Sequence, residues 1–256
     1  MNTVSFELHG KTHQLSAPSS WNEVTLFQLK AWIMAIHANM PESEKLRLAV
    51  PIFYSINPKV YKQLPEHYLV QFAPTLRFVF EENRLSNWLM PVIRTRFGKC
   101  FYGPADAFTN ITAYEFFSYC ERLYWQYKAK PDAGTLNALI AVLYREKRKG
   151  SVSNDVRCSL TDAGVSKRAN HIAKLPMHVR LAILFNYEGC RNFITAMHAK
   201  AFSGKGGQSK KRGDVTLALA GGPLGDLNTT RQSNLYDFLL HLEDLIEREE
   251  KLKENL

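Results

Sequence analysis

The sequence predicts a mainly α fold: a multi-helix globular body with one or two short β-hairpins and a long amphipathic C-terminal helix. Apolar residues recur at steps of three and four over most of the chain, the period of a helix with one buried face. Strict alternation, the period of a half-buried strand, is confined to the windows 3–15 and 92–102. Hydrophobic residues are 45% and charged residues 22% of the 256, the balance of a globular chain that can bury a sizeable core without disulfides or metal.

The first segment, 1–20, holds Val4-Ser5-Phe6-Glu7-Leu8, a turn at His9-Gly10-Lys11 and a return over Thr12 to Leu15. Two strands alone are marginal in water, so this hairpin has to dock on the helical body, beginning at Trp21. A helical region follows over 21–145. Thr25-x-x-Gln28 has the form of a capping box, and Leu26, Leu29, Ile33 and Ile36 carry the helix onward. Between Pro41 and Arg84, the prolines at 51, 58, 65 and 74 predict several short or kinked helices, because each removes a backbone donor and clashes one turn back. Asn57-Pro58 is the sharpest break. Residues 92–102 alternate around Gly98-Lys99 and predict a small second hairpin. Thr112-x-x-Glu115 has the form of another capping box, opening a helix with the stripe Tyr114, Phe117, Leu123 or Tyr124, and Tyr127. Pro131-Asp132 separates it from a helix over 133–144.

A second helical region spans 146–203. Arg145-Glu146-Lys147-Arg148-Lys149-Gly150-Ser151 predicts an exposed basic loop. Helix resumes near Val165, and Pro176 occupies the first position of a helix with Val179, Ile183, Cys190, Phe193 and Ile194 inside. Residues 204–232 form a flexible basic, glycine-rich linker, with a helical turn at 217–220 stopped by Gly221-Gly222-Pro223. The last segment, 233–256, is the amphipathic helix, starting near Ser233 or Asn234, with Leu235, Phe238, Leu239, Leu242, Leu245, Ile246 and Leu252 on its apolar side. Past residue 240 it carries six acids (Glu243, Asp244, Glu247, Glu249, Glu250, Glu254) against three bases (Arg248, Lys251, Lys253), a net of −3.

The whole chain has 33 Lys and Arg against 24 Asp and Glu, a net charge of +9, which favours polyanionic or acidic partners and says nothing about fold. The N-terminus lacks the basic and apolar regions of a signal peptide, and no window approaches 18 uninterrupted apolar residues, so neither a secretory leader nor a membrane span is expected. The four cysteines, Cys100, Cys120, Cys158 and Cys190, include no CxxC pair and are expected as free, mostly buried thiols of a cytoplasmic protein. Neither glycine-rich stretch has the order of a phosphate-binding loop, no HExxH or zinc-finger spacing occurs, and no G-x-S-x-G elbow is present. The expectation is a non-enzymatic protein with no cofactor and no metal.

Two segments point to nucleic acid as an alternative partner. Gly164-Val165-Ser166 followed by Lys167 and Arg168 matches the turn and first recognition-helix turn of a helix-turn-helix, although Leu160 stands where a small residue is expected. The surrounding 145–174 region has eight bases against three acids, and Arg157, Lys167 and Arg168 are the candidate polyanion contacts there. Lys205, Lys210, Lys211 and Arg212 in the linker are the others, without the interleaved aromatics that stack single strands.

Several segments in order carry a family resemblance: the N-terminal hairpin running into Ser20-Trp21-Asn22-Glu23-Val24-Thr25; Leu139-Ile140-Ala141-Val142-Leu143-Tyr144-Arg145; Asp155-Val156-Arg157 leading to Leu175-Pro176 and Arg180-Leu181-Ala182-Ile183-Leu184; Tyr187-Glu188-Gly189-Cys190-Arg191; and Asn234-Leu235-Tyr236-Asp237-Phe238-Leu239. Together they resemble a family of poorly characterised proteins from bacteriophage and prophage tail-gene clusters described as tail-assembly-chaperone-like. The resemblance implies a role in tail assembly as a chaperone or tail structural accessory, with no catalytic motif to carry over. The implied partners are phage tail proteins, the tape-measure protein among them, or a second copy of the chain. The implied location is the cytoplasm of a bacterial host cell, or the virion. The distal end of the C-terminal helix, with Leu245, Ile246, Glu249 and Leu252, is the candidate partner-binding surface: its apolar content thins while acids crowd in, which suits a helix laid into a partner's groove.

Overall fold

The computed structural model describes residues 1–8, 10–95, 98–150, 155–203 and 224–254; the glycine-rich stretch 204–223, with the turn expected at 217–220, lies outside the described residues. The N-terminal alternation forms β1 (Asn2–Leu8) and β2 (Lys11–Ala17), antiparallel with Phe6 opposite His13. Gly10 supplies the positive φ of the turn. Val4 and Phe6 point inward, and the Phe6 ring meets Tyr68 and Phe72, which docks the hairpin on helices further along the chain.

α1 (Leu26–Ile36) opens on a complete capping box, the Thr25 hydroxyl accepting from Gln28 N–H at 3.3 Å and Gln28 Oε1 accepting from Thr25 N–H at 2.9 Å. The proline-punctuated stretch becomes α2 (Glu42–Phe53), α3 (Pro58–Tyr61), α4 (Glu66–Phe72) and a 3-10 stretch over Ala73–Phe80. Asn57 caps α3, its side chain accepting from Lys59 N–H at 2.9 Å. Pro51 breaks nothing: it sits inside the last turn of α2. A proline there strands the carbonyl four residues back, which is that of Arg47, and the Tyr61 hydroxyl donates to that oxygen at 3.2 Å.

Residues 81–91 then run without regular structure along the molecule, a strap whose backbone is satisfied by side chains. Asn22 Oδ1 accepts from Ser86 and Asn87 N–H at 2.8 and 3.2 Å. Asn186 accepts from Leu89 N–H and donates to Asn87 O, both at 2.9 Å, and Asn192 donates to Asn83 O at 2.9 Å.

β3 (Val92–Arg94) and β4 (Cys100–Tyr102) form the second hairpin, Ile93 opposite Phe101. The ladder does not stop there. Tyr102 and Arg145 exchange backbone bonds of 2.8 and 3.0 Å; Arg148 N–H donates to Val156 O and Cys158 N–H to Glu146 O, each at 2.8 Å. The expected loop from 145 therefore begins as a third strand-like run, with 156–158 as a fourth beside it.

Thr112 makes half of its expected capping box, accepting from Glu115 N–H at 3.2 Å while the Glu115 side chain turns into the protein. The helix begins as a π-helical stretch, Glu115–Glu121, and continues as α5 (Arg122–Ala129). The wider turn shifts the face: Phe116, Phe117, Cys120, Leu123 and Tyr124 are buried, and the expected Tyr114 and Tyr127 are half-buried. α6 (Ala133–Leu143), capped by Asp132 accepting from Thr135 N–H at 2.8 Å, is buried almost all round. α7 (Asp162–Ile172), α8 (Met177–Met197, with Pro176 one residue before it) and α9 (Ala199–Phe202) follow. The expected linker is helical at its end: α10 (Leu227–Gln232) is capped by Asp226, which accepts from Thr229 N–H at 2.7 Å. α11 (Leu235–Glu254) closes the chain. Buried side chains from both sheets and from α1, α2, α6, α8 and α11 form one continuous core.

The strap lies so close to α8 that a Cβ on Gly189 would sit 2.5 Å from Leu85 O and 2.7 Å from Leu85 N. Both are backbone atoms and cannot swing aside. Gly189→Ala is expected to destabilise by about 1–3 kcal/mol, as overpacking does, despite alanine's better helix propensity. Denaturant unfolding of the variant measures this, and equal or higher stability would contradict the packing.

Candidate functional site

α11 is fixed to the body through its first half. Leu235, Phe238 and Leu239 are buried, the Phe238 ring lies 5.4 Å from that of Phe117, and the Tyr236 hydroxyl donates to Ala107 O at 2.7 Å. One turn further, Glu243 lies 3.0 Å from Nδ1 of the buried His198 and accepts from Ala201 N–H at 3.5 Å. Glu247 pairs with Lys200 at the next turn. Past this the helix emerges. Ile246 is half-buried, Leu245 is 38% exposed, Glu249 is exposed and Leu252 is 66% exposed. The stripe that is core at Leu235 and Phe238 thus continues through Leu242, Leu245, Glu249 and Leu252 onto a surface its own chain covers progressively less.

The basic 145–174 region has the opposite character: much of its charge is inside. Arg157 is fully buried and Arg168 nearly so, which removes both from the expected polyanion contacts. Arg157 takes both oxygens of Asp155, at 2.8 and 2.9 Å, and donates to Leu143 O and Asn110 O at 3.0 Å. Arg168 donates to Ala141 O at 2.8 Å and pairs with Glu146 at 3.3 Å. Ala141 and Leu143 lie in the last turn of α6, whose carbonyls have no partner within the helix, so the two arginines act as its C-terminal cap. Lys167 is exposed as expected, and Lys205, Lys210, Lys211 and Arg212 lie outside the described residues. Gly164 is not a turn between helices. It stands in the first turn of α7, which Thr161 caps by accepting from Gly164 N–H at 3.2 Å, and 155–160 before it is extended or irregular. The helix-turn-helix geometry is therefore absent from the described residues here.

Arg145, expected in an exposed loop, completes this buried cluster. It forms a two-pronged pair with Glu115 at 2.7 and 3.1 Å and reaches Asp155 at 3.4 Å, and Arg157 lies 3.5 Å from Glu115. Burial and the neighbouring Arg157 hold the Arg145 pKa below its usual value. One signal could have placed it inside: the six residues before it, Leu139 to Tyr144, are all apolar and all buried. A second buried acid, Glu121, is held by Arg191 at 2.7 and 3.2 Å, with Tyr187 and Trp125 also donating, and Arg191 lies 5.2 Å above the Tyr124 ring. The Glu121–Arg191 pair ties the π-helical stretch to α8, and the Glu115 pairs tie that stretch to the third and fourth strand-like runs.

All four cysteines are free thiols, and burial pushes those of Cys120 and Cys190 well up. Among the described residues, no three His, Cys, Asp or Glu side chains come together as a metal site, and no helix is long and apolar enough to cross a membrane. Sequence reasoning missed one exposed apolar line, Phe27 and Met34, seven residues apart on the outer side of α1. Comparison with family models, with curated proteins and with solved structures gives no match.

Glu115→Ala leaves two buried guanidinium groups with one carboxylate between them. The expected loss is about 3–5 kcal/mol, the cost of orphaning a buried charge, read from denaturant unfolding. A loss under about 1 kcal/mol would place the cluster in water.

The Lys200–Glu247 pair gives a pH signature. The hydrogen bond and charge from Lys200 hold the Glu247 carboxyl below the usual 4.5, and Glu247 raises Lys200 above 10.5. A lowered acid stabilises the fold above its unfolded pKa and loses that contribution as pH falls through the folded one; a raised amine loses its contribution as pH rises through its folded value. NMR titration of the Glu247 side-chain carboxyl should give a midpoint below 4.5 that moves back up in Lys200→Met. An identical midpoint in both proteins would show that α11 is not anchored here.

Proposed function

We propose that this protein is a non-enzymatic assembly factor that acts through protein–protein contacts in phage or prophage tail morphogenesis, as a chaperone or a structural accessory of the tail. The observation that carries the reading is the course of α11: a helix fixed by its first half that offers Leu245, Glu249 and Leu252 beyond the body. An amphipathic helix presenting alternate turns of leucine suits docking into a groove or against the long apolar helices of a tape-measure protein. Family resemblance supplies the tail context, and α11 supplies the means of contact. The buried acids and arginines support it from the other side, since each is taken up by partners within the fold. The nucleic-acid alternative loses support with the burial of Arg157 and Arg168.

Removing 247–256 tests this. The deletion spares Leu235, Phe238, Leu239 and the His198–Glu243 contact, so the melting temperature should fall by no more than a few degrees, about 1 kcal/mol. Co-purification with the co-expressed product of an adjacent, very long helical reading frame should drop sharply. A deletion that unfolds the protein would make the segment core, and undiminished co-purification would remove α11 from the contact.

A further inference from the structure

We draw no further inference here: the strongest candidate, the exposed apolar surface patch of Phe27 and Met34 on the outer side of α1, is an unpartnered helix face, and nothing in the structure shows what covers it.

Discussion

Two guanidinium groups, Arg145 and Arg157, lie side by side in the core of this protein, and burying either alone would cost several kcal/mol. They are tolerated because Glu115 and Asp155 bring two carboxylates to the same place and two backbone carbonyls accept from Arg157. The requirement fixes geometry well beyond the cluster. Glu115 must face inward, so Thr112 gains half a capping box and the helix opens with a π-helical stretch. Residues 145–148 must pass beside β4, so what would be a loop becomes a strand. Residue 157 must return to the end of α6, which pairs 156–158 with the same ladder.

The same physics governs the strap at 81–91. An irregular segment in contact with a core leaves backbone donors and acceptors that water cannot reach, and each costs about 1–3 kcal/mol if left unmet. Asparagine offers a donor and an acceptor on one short side chain, and Asn22, Asn83, Asn186 and Asn192 do here what a neighbouring strand does in a sheet. Pro51 belongs with them: a tyrosine hydroxyl from α3 supplies the donor that the proline lacks. The fold is thus held as much by side-chain-to-backbone bonds between segments far apart in sequence as by its apolar core.

This internal use of charge changes how the net charge bears on function. Of the bases between 145 and 174, Arg145, Arg157 and Arg168 are inside and neutralised, so the surface there is narrower and less cationic than composition suggests. What remains is split between the small sheet, with Lys147, Arg148 and Lys149, and α7 with the turn after it, with Lys167 and Lys174. The acids that α11 has in excess are also used within the fold, Glu243 by His198 and Glu247 by Lys200, and past Glu247 the helix carries three acids against three bases.

Local features were legible in the sequence wherever a single element suffices. Alternation with a glycine turn gave both hairpins, Thr25 and Gln28 the first capping box, Asn57-Pro58 a helix start, and the leucine spacing the long last helix. Each depends on residues within a turn of one another, and so does the mainly α class. The candidate surface of α11 was legible for the same reason, as a stripe on one helix. What the sequence could not decide was which of its many charged residues lie inside. Arg157 and Lys167 look alike as letters, and one is fully buried while the other is in solvent, because burial of a charge is set by partners 27 to 47 residues away: Glu115 for Arg145, Asn110 for Arg157, Ala141 for Arg168. Long-range pairing of this kind has no period and no motif, so only the tertiary structure separates the arginines that hold the fold from the lysines that face the solvent.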